Sequence, residues 1–322
     1  MTPLYQLLHK AWQFNRLLTL AGLFHLILIP LLLIGAVVDP KVITGANAWV
    51  KPLKFAISLP IYSFTLTWLL TYIQGRRRLV QTIANVTGVV AITETVLITL
   101  QVIHGTTSHF NVSTAFDATV FSLMGTAITI LATVNLLTVI LLSVQRLGNP
   151  VLATALRLGA LTSFVGMIVA FLMTAGPTPS QLAALEAGGD LTMVGAHSIG
   201  VDDGGPGLPV LGWSTIGGDL RVPHFVGLHG LQIVPLLGLL LTRQNARRRY
   251  SEGQRTSFVW IAGLGYTAWI GLLTWQALRG QSVVAMDMQT ALAYLLLIGA
   301  AVTALILIAL GKGQTREVSA AV

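Results

Sequence analysis

Residues 79–103 read LVQTIANVTGVVAITETVLITLQVI, an unbroken apolar run carrying one charge, Glu94. A bilayer-spanning helix needs about 20 mostly apolar residues, so this stretch is long enough to cross. Seven more runs of similar character surround it: Leu17–Val38, Phe55–Ile73, Ala118–Val144, Ala155–Ala175, Phe225–Thr242, Ser257–Leu278 and Thr290–Leu310. The reading is an all-α polytopic transmembrane bundle of eight spans, in one membrane domain over 1–322.

Composition agrees. Charged residues make up 9% of the chain and hydrophobic ones 54%, against about 25% charged in an ordinary soluble domain. That leaves too little polar surface to cover a water-exposed ball of this size. The first run follows Lys10 and Arg16 but is too long for a signal peptide, and Val38-Asp39-Pro40-Lys41 is no cleavage site, so it is read as a retained span. Cysteine is absent, which excludes disulfides, thiolate metal sites and a cysteine nucleophile.

The basic residues set the expected orientation. With the N-terminus inside, Lys41, Lys51, Lys54, Arg221 and Arg279 are the outer five of 19, and the other fourteen, Lys312 and Arg316 among them, fall inside. Among the acids, Glu252 and Glu317 fall inside. Cytoplasmic loops carry the excess of Lys and Arg, so both termini are expected in the cytoplasm and the chain in a plasma membrane of bacterial type. This clustering accounts for a net charge of +8 without nucleic acid; the expected partner is the lipid bilayer.

Most connections are short. The exception, 176–221, lies outside and is rich in Gly and Pro, with room for one helix over Ser180–Ala187, Thr178 as its N-cap and Pro179 in its first turn. A connection this long is a lid, a binding loop or a loose linker. A weak repeat runs through the chain. Thr99-Leu-Gln101-Val-Ile-His104-Gly105 is echoed by Thr274-Trp-Gln276-Ala-Leu-Arg279-Gly280, and Lys51-Pro-Leu-Lys54-Phe55 by Arg221-Val-Pro-His224-Phe225. Residues 1–150 and 151–322 would then be parallel four-helix halves.

Candidate functional residues gather at the outer face. Five of the seven histidines are expected there: His104, His109, His197, His224 and His229. Imidazole is a common ligand of heme iron and of zinc or copper, so His104, His109, His224 and His229 are candidate ligands of a heme or a divalent metal. Arg221 and Arg279 would hold an anionic group such as a propionate. Each histidine pair is five residues apart, about 140° on a helix, so neither shares one helix face; Gly105 is expected to end its helix and let His109 fold back. The bland alternative is interfacial histidines bonded to water or headgroups.

Glu94 lies roughly 15 Å below His104 along its span. A carboxylate there is costly unless paired, hydrated or protonated, which suggests proton transfer; the bland alternative is a single interhelical hydrogen bond. Thr87, Glu94, Gln101 and His104 form one polar stripe, and Lys51, Lys54, Ser58, Tyr62 and Thr65 another. Lys51, Lys54, Gln101, Gln232 and Gln276 are candidate contacts to a small anionic ligand or a lipid headgroup.

Two parallel four-helix halves with histidines at one face resemble heme A synthase in architecture alone. There the histidines sit on even-numbered helices, whereas here the pairs end span three and open span six, so no residue is carried over. Three functions remain open: a heme or metal site in redox or enzymatic work, a proton-coupled carrier of a small anionic or lipid substrate, and a non-catalytic scaffold.

Overall fold

The computed structural model describes residues 2–311; Lys312, Arg316 and Glu317 lie outside the described residues. Among those described, eight helices are long and apolar enough to span a membrane: α2 (Arg16–Val38), α3 (Val50–Leu70), α4 (Arg77–His104), α5 (Ala115–Val144), α6 (Pro150–Leu172), α8 (Arg221–Thr242), α10 (Glu252–Leu278) and α11 (Met288–Leu310). The all-α polytopic bundle is therefore the fold. Three shorter helices, α1 (Pro3–Phe14), α7 (Pro179–Glu186) and α9 (Gln244–Arg249), complete the helical set, and two small hairpins pair β1 (Val42–Ile43) with β2 (Ala46–Asn47) and β3 (Ser198–Ile199) with β4 (Gly218–Asp219).

Several helices start earlier than hydropathy suggested. α3 begins at Val50 and α8 at Arg221, so Lys51 and His224 lie in first helical turns and Lys54 just beyond one. Hydropathy marks where a helix is apolar, whereas the backbone continues for a turn beyond, where side chains meet a polar cluster. α7 forms where expected, with Thr178 and Gln181 making a reciprocal capping box.

The two halves assemble by the same order of contacts. In the first, α2 packs on α3 and α4, α3 on α4, and α4 on α5; in the second, α6 packs on α8 and α10, α8 on α10, and α10 on α11. The echoed peptides end their helices alike. Gly105 and Gly280 adopt φ of 83° and 70°, their N–H groups donate to Val102 and Ala277, and the next N–H groups donate to Gln101 and Gln276. This is the Schellman closure, which needs a left-handed residue and so favours glycine. The halves meet where α5 packs on α6 and α3 on α8.

Apolar packing is unequal along the bundle. The largest core cluster, with Leu66, Leu69, Leu70, Ile83, Leu142 and Leu156, lies toward the end that carries residues 2 and 311. The opposite end, hereafter the site end, holds the polar groups and a smaller cluster around Phe110, Leu220 and Ile270.

The long connection is an ordered roof over the site end. Val112 and Val194 N–H groups donate across to Thr192 and Phe110, pairing it with the α4–α5 turn. Lys54 Nζ donates to Leu211 at 2.7 Å and Ser282 Oγ to Ser214 at 2.8 Å. It is thus tied to both halves, and the loose-linker alternative does not hold.

Candidate functional site

The site is built around the first turn of α3. Lys51 is half-buried and lies within electrostatic reach of Arg221, Asp203, Glu94 and Lys54. Each of the other four cations at the site end has a local partner. Lys41 pairs with Asp39, Arg221 with Asp219 and Arg279 with Asp287, while Lys54 donates to the Leu211 carbonyl. Among the described residues Lys51 alone of these five makes neither an ion pair nor a side-chain hydrogen bond.

Two histidines, His109 and His197, lie within electrostatic reach of it, and a third, His224, lies within reach of those two. Gly105 ends α4 as expected, and the chain folds back to bring His109 beside His197 and His224. The His109 and His197 rings stack with centroids 6.5 Å apart, and Phe110 meets His197 edge-on at 4.8 Å. Burial first, then the Lys51 charge, holds the His109 ring well below its ordinary 6.5. Burial likewise lowers His197, against the opposing pull of Asp203. Both rings are therefore neutral near pH 7.

Asp203 fixes the His197 tautomer. Its Oδ2 accepts the ring Nδ1–H at 2.7 Å and the His197 backbone N–H at 3.0 Å, and Oδ1 accepts the Ser198 N–H at 2.9 Å. Burial alone would raise this carboxyl; the hydrogen bonds from His197 and Ser198 outweigh it and leave Asp203 well below the usual carboxylate range. His224 is oriented the same way, its Nδ1–H donating to the Gly166 carbonyl at 2.8 Å. A neutral ring that donates through Nδ1 carries its lone pair on Nε2, and among the described residues neither Nε2 has a partner or is sealed from access.

Comparison with family models, curated proteins and solved structures gives no match.

The remaining candidates divide between the cluster and the scaffold. Glu94 is 2% exposed, and neither carboxylate oxygen has a hydrogen-bond partner; Lys51 is the charge within its reach. The interhelical hydrogen bond offered as its bland explanation is therefore not made. Gln232 and Gln101 each bury an unpartnered Oε1, although Gln101 Nε2 donates to Asp117 at 2.7 Å. Gln276 is fully engaged, donating to Ser282 and accepting from Tyr294, which ties α10 to the start of α11. Arg279 pairs with Asp287, donates to Thr290 at 2.8 Å and lies over Trp275 at 4.6 Å, so it is scaffold too. Arg221 reaches Asp219 and the Gly212 carbonyl at 2.6 Å, which neutralises it beside the cluster.

His104 and His229 stand apart. Both are exposed, and His104 stacks on Phe116. Five residues along α8 turn His229 away from His224, while the fold-back after Gly105 carries His109 away from His104. Among the described residues no group of three His, Asp or Glu is arranged to hold a metal ion. Sequence reasoning missed the His197–Asp203 pair. Its only signal was an acid six residues after a histidine in a loop rich in turns, and such spacing fixes no contact.

Proposed function

We propose that this chain captures a small anion from the extracytoplasmic side and takes up a proton on Glu94 as it does so, the binding step of a proton-coupled carrier. The observation that carries this reading is the Lys51 side chain, which among the described residues makes no ion pair and no side-chain hydrogen bond and lies within electrostatic reach of His109 and His197. Lys51, Lys54 and Arg221 stand against Asp203 and Asp219. With Lys51 charged and Glu94 ionised the cluster is neutral, and with Lys51 charged and Glu94 protonated it has one positive charge in excess. An arriving anion favours the second state, so binding and protonation are linked. The excess of Lys and Arg at the opposite end supports an extracytoplasmic site end. The matched contacts of the halves support their reading as a duplicated unit with the ligand at the α3–α8 seam.

Isothermal titration of the detergent-purified chain with inorganic phosphate, sulfate, lactate and acetate, in buffers of different ionisation heat, tests this. At least one anion binds with uptake of a proton; Glu94→Gln binds without it, and Lys51→Ala weakens binding by at least about tenfold. No binding across the panel, or unchanged affinity in Lys51→Ala, removes the reading.

A second reading, a heme or metal held by two of the histidine rings, rests on His197 and His224 being anchored through Nδ1, as metal-bound imidazoles commonly are. The nearby Lys51 charge opposes a divalent cation. Purified protein without a Soret band and without stoichiometric metal rules it out.

A further inference from the structure

The proposed anion site has a second, uncharged side, and its chemistry narrows the ligand. The donor is Lys51, within electrostatic reach of His197. His224 lies within reach of His197, and both rings are anchored as acceptors. The His197 anchor is Asp203 at 2.7 Å and the His224 anchor is the Gly166 carbonyl at 2.8 Å. An acceptor accepts both Nδ1–H groups, so both Nε2 atoms present lone pairs. Asp203 is itself held by two backbone N–H groups, which keeps the carboxylate, and with it the tautomer, in place.

Lone pairs repel a bare oxyanion. Sulfate or a fully ionised carboxylate seated on Lys51 would turn oxygen lone pairs toward imidazole lone pairs, with no proton between them. The repulsion vanishes if the ligand brings its own hydrogens. A site built to accept from a ligand O–H also discriminates strongly against the analogue that lacks it, because its acceptors are then left unpaired.

Resting on the anion-binding reading above, we infer that the ligand is an oxyanion that also carries O–H donors, its charged oxygens on Lys51 and its hydroxyl hydrogens on the Nε2 atoms of His197 and His224. Protonated phosphate, a phosphate monoester and a hydroxy acid all have this character. The same chemistry occurs free in water and on lipid headgroups.

Phosphate and sulfate form the deciding pair, being alike in shape and differing in the proton. At about pH 6 inorganic phosphate still carries a proton and phosphate monoesters are about half protonated, while burial favours the neutral, lone-pair-bearing form of His197. Titrating the whole purified chain with each anion is expected to give at least about tenfold tighter binding of phosphate, with lactate likewise preferred over propionate. In His197→Ala and His224→Ala the ratio falls toward one, while Lys51→Ala weakens both anions alike. Nanodiscs of phosphatidylcholine with and without phosphatidic acid separate the sources: competition by phosphatidic acid against free phosphate assigns the site to a headgroup, and its absence assigns it to a soluble ligand.

Equal affinity for phosphate and sulfate in the unmodified chain overturns the inference and leaves anion binding intact. Failure of every anion to bind removes the parent reading instead. Stoichiometric zinc or copper on the purified chain also overturns it, since the lone pairs would then serve a metal. The comparison in the unmodified chain requires no variant to fold.

Discussion

His224 donates its Nδ1–H to the carbonyl of Gly166 at 2.8 Å, across a close contact between α6 and α8. The reach depends on absent side chains. A Cβ on Gly227 would lie 2.4 Å from Gly166 Cα, and one on Gly166 would lie 2.6 Å from the Gly227 carbonyl carbon. Gly227→Ala is therefore expected to force α6 and α8 apart, at a cost of about 1–3 kcal/mol, and to weaken anion binding by lengthening the His224 anchor. Melting of the detergent-solubilised variant together with phosphate titration checks both; a variant as stable as the parent would mean the helices have slack there.

Asp203→Asn leaves one acceptor oxygen for three donors, the His197 ring, the His197 N–H and the Ser198 N–H. One of them loses its partner, at about 1–3 kcal/mol. The expected result is faster protease cleavage within 190–215 while the spans stay intact, read by mass spectrometry of the fragments. An unchanged cleavage rate would show that the β-bridge to the α4–α5 turn holds the roof without this carboxylate.

Acid should loosen the site end before it loosens the bundle. His109 and His197 are both held below 6.5 in the folded chain, so the unfolded segment binds more protons as pH drops through that value. Stability is then full above about 6.5 and declines below it. Asp203, depressed from 3.8, retains its contribution throughout that window. Apparent melting temperature should fall between about pH 7.5 and 5, and His109→Asn should flatten the slope. A midpoint that rises on acidification contradicts this.

The first hairpin fastens the roof from the other side. Gly45 has φ of 73°, and a Cβ there would sit 2.2 Å from the Gly204 carbonyl oxygen. Gly75 has the same backbone shape, φ of 75°, with nothing nearby. Gly75→Ala should cost only the conformational strain of about 1–2 kcal/mol, whereas Gly45→Ala should cost more and raise protease cleavage near Gly204. Equal losses in the two variants would show that the hairpin does not clamp the roof.

The spans were legible because hydrocarbon imposes one rule on every residue in turn, and hydropathy reads it directly. The Thr178 cap and the Gly105 stop were legible for the same reason: each acts within a few residues of itself. Helix α1 was missed because its apolar residues lie on one face and are too few to resemble a span. The site was half legible. Lys51, Glu94, His109 and His224 were found because polar groups near apolar runs stand out. His104 and His229 were grouped with them on depth alone; direction around the helix separates His229, and the fold-back after Gly105 separates His104. The Arg221–Asp219 and His197–Asp203 pairs depend on how a loop of some forty residues closes, and Arg279–Asp287 on the turn between α10 and α11; no local pattern encodes either closure.

The apolar cluster around Leu66, Leu142 and Leu156 closes the bundle at the end opposite the site. Such packing is a poor conductor of ions and a poor dielectric, so most of a transmembrane voltage falls across it. A unit charge crossing the full field exchanges about 2.3 kcal/mol per 100 mV, but a ligand that stops at Lys51 crosses little of that field. Occupancy of the cluster should therefore be nearly indifferent to membrane potential, while any onward movement past Glu94 would carry almost the whole of the electrical work.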